Sequence, residues 1–119
     1  MTYKEEYKLF METLESGEPI PAETVGRLIV KFAQYFSDAI SEAVKTEYRY
    51  RKILAVYENK TDDNGKPLSS TKAEAQAEAT PEYLAYIEAK ANVTSIEVCI
   101  NAFKSLQKSL QNEYQHMGI

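Results

Sequence analysis

The sequence predicts an all-α protein: a long antiparallel helical hairpin with a short N-terminal helix, a short helix in the connection, and association between copies. Three observations carry this. Glycine and proline, four of each in 119 residues, fall outside or near the ends of the periodic segments. Nothing interrupts a helix between Pro21 and Glu58, where apolar residues recur in two heptad-like rows. Ile29, Phe36, Ala43, Tyr50 and Tyr57 form one row; Val25, Phe32, Ala39 and Ile53 form the other, with Thr46 as its polar exception. A second uninterrupted stretch of similar length follows a turn-rich loop, and helices of matching length joined this way lie antiparallel.

Each element has its own signals. Thr2 followed three residues later by Glu5 reads as a capping box, and Tyr7, Phe10, Met11 and Leu14 share one stripe, which predicts a short helix over 2–16. Gly17 supplies a left-handed cap, and the prolines at 19 and 21 push their predecessors out of the helical region. Pro21 suits the first position of a long helix over 21–58, and Glu23 adds a favourable charge to its first turn. Residues 59–71, NKTDDNGKPLSST, lack apolar rhythm and predict an exposed, mobile loop. Thr71 with Glu74 predicts a second capping box and a short helix over 72–79, whose alanines are expected to pack shallowly. Thr80 and Pro81 then open a helix over 81–115, with Gly118 as a stop. Its expected buried side is Leu84, Ile87, Ala91, Ile96, Cys99, Ile100, Phe103, Leu106, Leu110 and Tyr114.

Length and composition fit a single helical domain of 119 residues. A two-helix hairpin leaves both of its seams partly uncovered, and the first helix is too short to cover what remains. Hence a homo-oligomer is expected, with Phe32, Phe36, Tyr50, Ile53, Tyr57, Ile100, Phe103, Leu106 and Leu110 as core and oligomer residues. The sequence offers neither a membrane span nor a secretory leader, and the lone Cys99 cannot form an internal disulfide; a cytoplasmic location is the expectation.

Motifs that carry chemistry are scarce. There is no phosphate-cradling glycine loop and no Cys/His pair with zinc spacing, so no enzyme, metal or cofactor is expected. Cys99 lies on an apolar stripe, where a thiol acts as a small hydrophobe, and His116 stands alone near the chain's end. Asp62 and Asp63 read as solvated charge in the loop.

Charge is distributed unevenly. The net charge is −4, yet residues 25–57 hold six Lys and Arg against three Asp and Glu, and both neighbouring stretches are acidic. Within that block, EAVKTEYRYRKILAVYE interleaves Lys45, Arg49, Arg51 and Lys52 with Tyr48, Tyr50 and Tyr57. Two readings stand side by side. Bases stacking on rings, with backbone charge neutralised by Lys and Arg, is how single strands are held without sequence preference, which makes Lys45, Tyr48, Arg49, Arg51 and Lys52 candidates for nucleic-acid contact. The other reading, which the seam positions of Tyr50 and Tyr57 favour, is that the rings are core and the cations form a solvated face.

The order of YRYRKILAVYE, a polar loop, SSTKAEAQAEATPEYLAYIEAK and a final helix containing FKSLQKSLQNEY resembles small helical accessory proteins of bacteriophages and prophages. Within that group it is similar to the T-even phage recombination mediator family, over residues 48–114. The resemblance implies a non-enzymatic helical oligomer in a bacterial cytoplasm that binds single-stranded DNA or a recombination protein, with Arg49, Arg51 and Lys52 at the DNA; the net acidity departs from it. Two alternatives remain. One is an inhibitor of a host defence nuclease that presents acidic regions such as Glu5, Glu6, Glu12, Glu15, Asp62 and Asp63 through protein contact. The other is a structural or assembly subunit.

Overall fold

The computed structural model describes the backbone of residues 1–117 and the side chains of residues 1–113. Expectations placed on the side chains of Tyr114 and His116 and on Gly118 lie outside the described residues. Four helices follow in order: α1 (Tyr3–Glu15), α2 (Ala22–Glu58), α3 (Ser70–Glu78) and α4 (Pro81–Met117). The long helices α2 and α4 pack together as a pair, each 37 residues long. The chain divides into two compact units, one formed by Met1–Ser37 with the chain from Thr94 onward, the other by Asp38–Val93.

The caps explain where the helices begin. Thr2 accepts a hydrogen bond from the Glu5 amide while the Glu5 carboxylate accepts one from the Thr2 amide, closing the expected capping box. The Pro21 carbonyl accepts from the amides of Thr24 and Val25, so α2 starts at Ala22 with Pro21 just outside it. Thr80 caps α4 as the sequence suggests, its hydroxyl oxygen accepting from the Tyr83 amide at 3.4 Å. α3 departs from expectation. Ser69 is its cap, accepting from the Lys72 amide, and Thr71 lies inside the helix.

The first unit is built around Phe32 of α2 and Phe103 of α4, whose rings meet edge to face at 4.9 Å. Tyr7 and Phe10 of α1 reach Phe103 at 5.6 and 5.2 Å, and Tyr3 reaches Phe32 at 6.4 Å, so α1 packs on its own chain. Val25, Ile96 and Cys99 complete this core. Phe36, Ile100, Leu106 and Leu110 are half-buried. At its edge the Glu6 carboxylate accepts from the Tyr35 hydroxyl at 2.7 Å and pairs with Lys31.

The second unit has a different core. Tyr50 of α2 is buried against Tyr83 and Tyr86 of α4, with ring centroids at 4.9 and 5.6 Å. Thr46, the polar position in the seam, is 3 % exposed, and its hydroxyl donates to the carbonyls of Glu42 and Ala43. That back-bonding satisfies a polar group the core would otherwise leave bare. Ala73 and Ala77 of α3 are fully buried, which corrects the expectation of shallow packing: without longer side chains the α3 backbone approaches its neighbours closely.

None of the seam residues expected on α2 is exposed. On α4 the expected face needs correction in its first turns. Leu84, Ile87 and Ala91 are exposed; Tyr83, Tyr86, Ala89 and Val93 turn inward instead. The Tyr50 ring packs on this face, where it meets the rings of Tyr83 and Tyr86 at tilted angles of 51° and 41°.

The connection is largely exposed, as expected, and is shaped by its own hydrogen bonds. Asp62 Oδ1 accepts from the amides of Asn64 and Lys66 at 2.9 Å each, the Asp62 amide donates to the Lys66 carbonyl, and Thr61 faces Pro67 in a single antiparallel bridge. Gly65, at φ 78°, takes the left-handed conformation this tight reversal requires. Leu68 is half-buried and ties down the far side.

Candidate nucleic-acid interface

In a helix, residues spaced by three, four and seven positions share a face, so Lys45, Tyr48, Arg49 and Lys52 of α2 project together. All four are exposed, and Tyr48 is 61 % exposed. The Lys52 ammonium stands 4.7 Å from the centre of the Tyr48 ring. A cation over a ring face is attracted by the ring quadrupole, which orients Lys52 without neutralising it. Val56, 53 % exposed, extends the same face by one turn. It follows Lys52 by four residues, a spacing legible in the sequence.

Arg49 also lines a shallow groove of about 210 Å³ with Thr46, Pro81, Glu82 and Ala85. The first turn of α4 therefore lies beside this arginine. Unpaired amides at a helix start favour anions, and the Glu82 carboxylate in the same groove opposes them.

Arg51 is placed differently. Its guanidinium donates twice to Glu47 Oε1, from Nη2 at 2.8 Å and from Nε at 3.1 Å, which holds its pKa above the usual arginine range. It lines a separate cleft of about 190 Å³ with Glu47, Tyr50, Leu54, Tyr83 and Tyr86. The pairing was readable from the spacing of Glu47 and Arg51. Tyr50 is buried, and burial foremost, with Glu78 and Glu74 nearby, raises its hydroxyl pKa. Tyr57 is half-buried beneath Lys60, whose ammonium is 4.2 Å from the ring, and Ile53 is half-buried on the seam.

The remaining candidates sit elsewhere. Cys99 is buried, and burial pushes its thiol pKa up, which suppresses the nucleophilic thiolate. Among the described residues no group of three or more His, Cys, Asp or Glu is arranged to hold a metal ion. Among the same residues no helix is long and apolar enough to cross a membrane.

No family model, curated protein or solved structure matches the chain.

Proposed function

We propose that the chain is a non-enzymatic helical accessory protein that acts as a self-associated assembly and holds single-stranded nucleic acid on the Lys45–Lys52 face of α2. The observation that carries this reading is the exposed Tyr48 ring set among Lys45, Arg49 and Lys52, which have no acidic partner at ion-pair distance among the described residues. A ring with one open side offers a stacking platform, and flanking cations neutralise the phosphates on either side of the stacked base. Such binding is indifferent to sequence, in keeping with the phage mediator that the sequence resembles.

Oligonucleotide titrations at several salt concentrations test it. Neutralising the phosphates opposite Lys45, Arg49 and Lys52 gives a log–log salt slope of about −2 on a single strand. The Lys45→Ala/Arg49→Ala/Lys52→Ala variant loses binding and slope together with unchanged helix content, while Tyr48→Ala weakens binding by about 1–3 kcal/mol. Absence of binding by the parent at physiological salt, or a triple variant that binds as well as the parent, overturns the reading.

A further inference from the structure

Of the five asparagines, only Asn64 is followed by glycine. A glycine has no Cβ to crowd its main-chain nitrogen, so that nitrogen can attack the preceding side-chain amide carbon. Asn64 and Gly65 are both exposed, and Gly65 faces open space. The other asparagines are placed differently. Asn59 donates its side-chain amide to the Ala55 carbonyl at 2.9 Å, while Asn92, Asn101 and Asn112 lie within α4, where helical hydrogen bonds fix the main chain.

The turn around Asn64 keeps the reacting atoms apart. The Gly65 amide donates to the Asp62 carbonyl at 3.0 Å, and φ is negative at both Asp63 and Asn64, which makes 62–65 a type I turn. With ψ about 0° at the third residue of such a turn, the Gly65 nitrogen eclipses the amide nitrogen of Asn64 instead of its Cβ. No ring through Asn64 Cγ closes from that geometry. Closure needs rotation about the Asn64 Cα–C bond, and this rotation breaks the bond from Gly65 to Asp62. Asp62 Oδ1 opposes it, because it accepts from the Asn64 and Lys66 amides at 2.9 Å each, on both sides of the reacting peptide.

We propose that Asn64–Gly65 is a self-modification site, latent while the Asp62 turn is closed and released by its opening, with water as the only co-reactant. The Gly65 nitrogen gives its proton to solvent base and bonds to Asn64 Cγ. The Cγ–Nδ2 bond breaks, and with a proton from water the nitrogen leaves as ammonia. Water then opens the succinimide at one of its two carbonyls, which gives aspartate or, where the main chain is rerouted through the side chain, isoaspartate. Either product adds a negative charge to residues 58–82, which hold three Lys against six Asp and Glu. Isoaspartate also lengthens by one carbon the main chain between the amides of residues 64 and 66, the span that Asp62 Oδ1 bridges. This chemistry is independent of nucleic-acid binding.

Mass spectrometry of the full chain tests it. The parent is incubated at mildly alkaline pH, folded or in guanidinium chloride, and then digested with trypsin. The peptide 61–72 contains no other side-chain amide, so a gain in mass from amide to acid reports on Asn64 alone. An isoaspartyl-directed methyltransferase with labelled S-adenosylmethionine counts the rerouted product. The folded parent is expected to react about tenfold or more slowly than the denatured chain, because it must first open the turn. Asp62→Ala removes two hydrogen bonds and should raise the ratio of folded to denatured rates about tenfold, with the far-ultraviolet helix signal retained. Gly65→Ala should slow the reaction in the denatured chain, where folding plays no part. A folded parent that reacts as fast as the denatured one, an Asp62→Ala ratio equal to the parent's, or a denatured Gly65→Ala chain as fast as the denatured parent overturns the proposal.

Discussion

Phe103 receives the edges of Tyr7, Phe10 and Phe32, so a single ring ties α1, α2 and α4 into one core. Truncating such a buried ring leaves a cavity that three helices cannot jointly close. Phe103→Ala is expected to destabilise by about 3–5 kcal/mol, and Phe36→Ala, whose ring is only half-buried, by clearly less. Urea midpoints for the two variants check the order. Glu6 contributes in a pH-dependent way. Desolvation raises its carboxyl pKa, but hydrogen bonds from Lys31 and Tyr35 outweigh that and leave it below the ordinary value of 4.5. A depressed folded pKa adds stability that is complete above the unfolded value and is lost as pH falls through the lower folded one. Urea midpoints of the parent should therefore fall on acidification below about pH 4.5 more steeply than those of Glu6→Gln, and parallel profiles would deny Glu6 this role.

Between helices, the turn held by Asp62 makes its own forecast. Asp62→Ala removes an acceptor shared by the amides of Asn64 and Lys66, and should speed tryptic cleavage at Lys60 while Lys66, followed by Pro67, stays resistant. Cleavage rates equal to the parent's would mean that the backbone bonds hold the turn by themselves. In α3, Ala77→Leu forces a larger side chain into a fully occupied site and is expected to cost about 1–3 kcal/mol, read from thermal unfolding. These elements also show what the sequence discloses. The caps at Thr2 and Thr80 and the α2 seam are local or periodic, and they were legible. The face of α4 between Pro81 and Val93 was not, because two apolar stripes overlap there and only the position of the Tyr50 ring chooses between them. Asp62 was hidden for a related reason: polar composition marks a turn without telling whether one carboxylate gathers its amides. At the candidate interface the cations were readable, and so was the i,i+4 spacing to Glu47 that sets Arg51 apart from the open face.

For the molecule as a whole, a paired chain implies mass action. If copies of the chain self-associate as proposed, the midpoint of thermal unfolding should rise with protein concentration. A midpoint independent of concentration in the parent would argue against any pairing that stabilises the fold. The chain's one cysteine, Cys99, is 7 % exposed in the unit that holds Phe103, and desolvation raises its thiol pKa. A thiol-reactive dye therefore has a single address on this protein and reaches it only when that unit opens. For the purified chain the labelling rate becomes a clock for local opening, with no second thiol to confuse its signal.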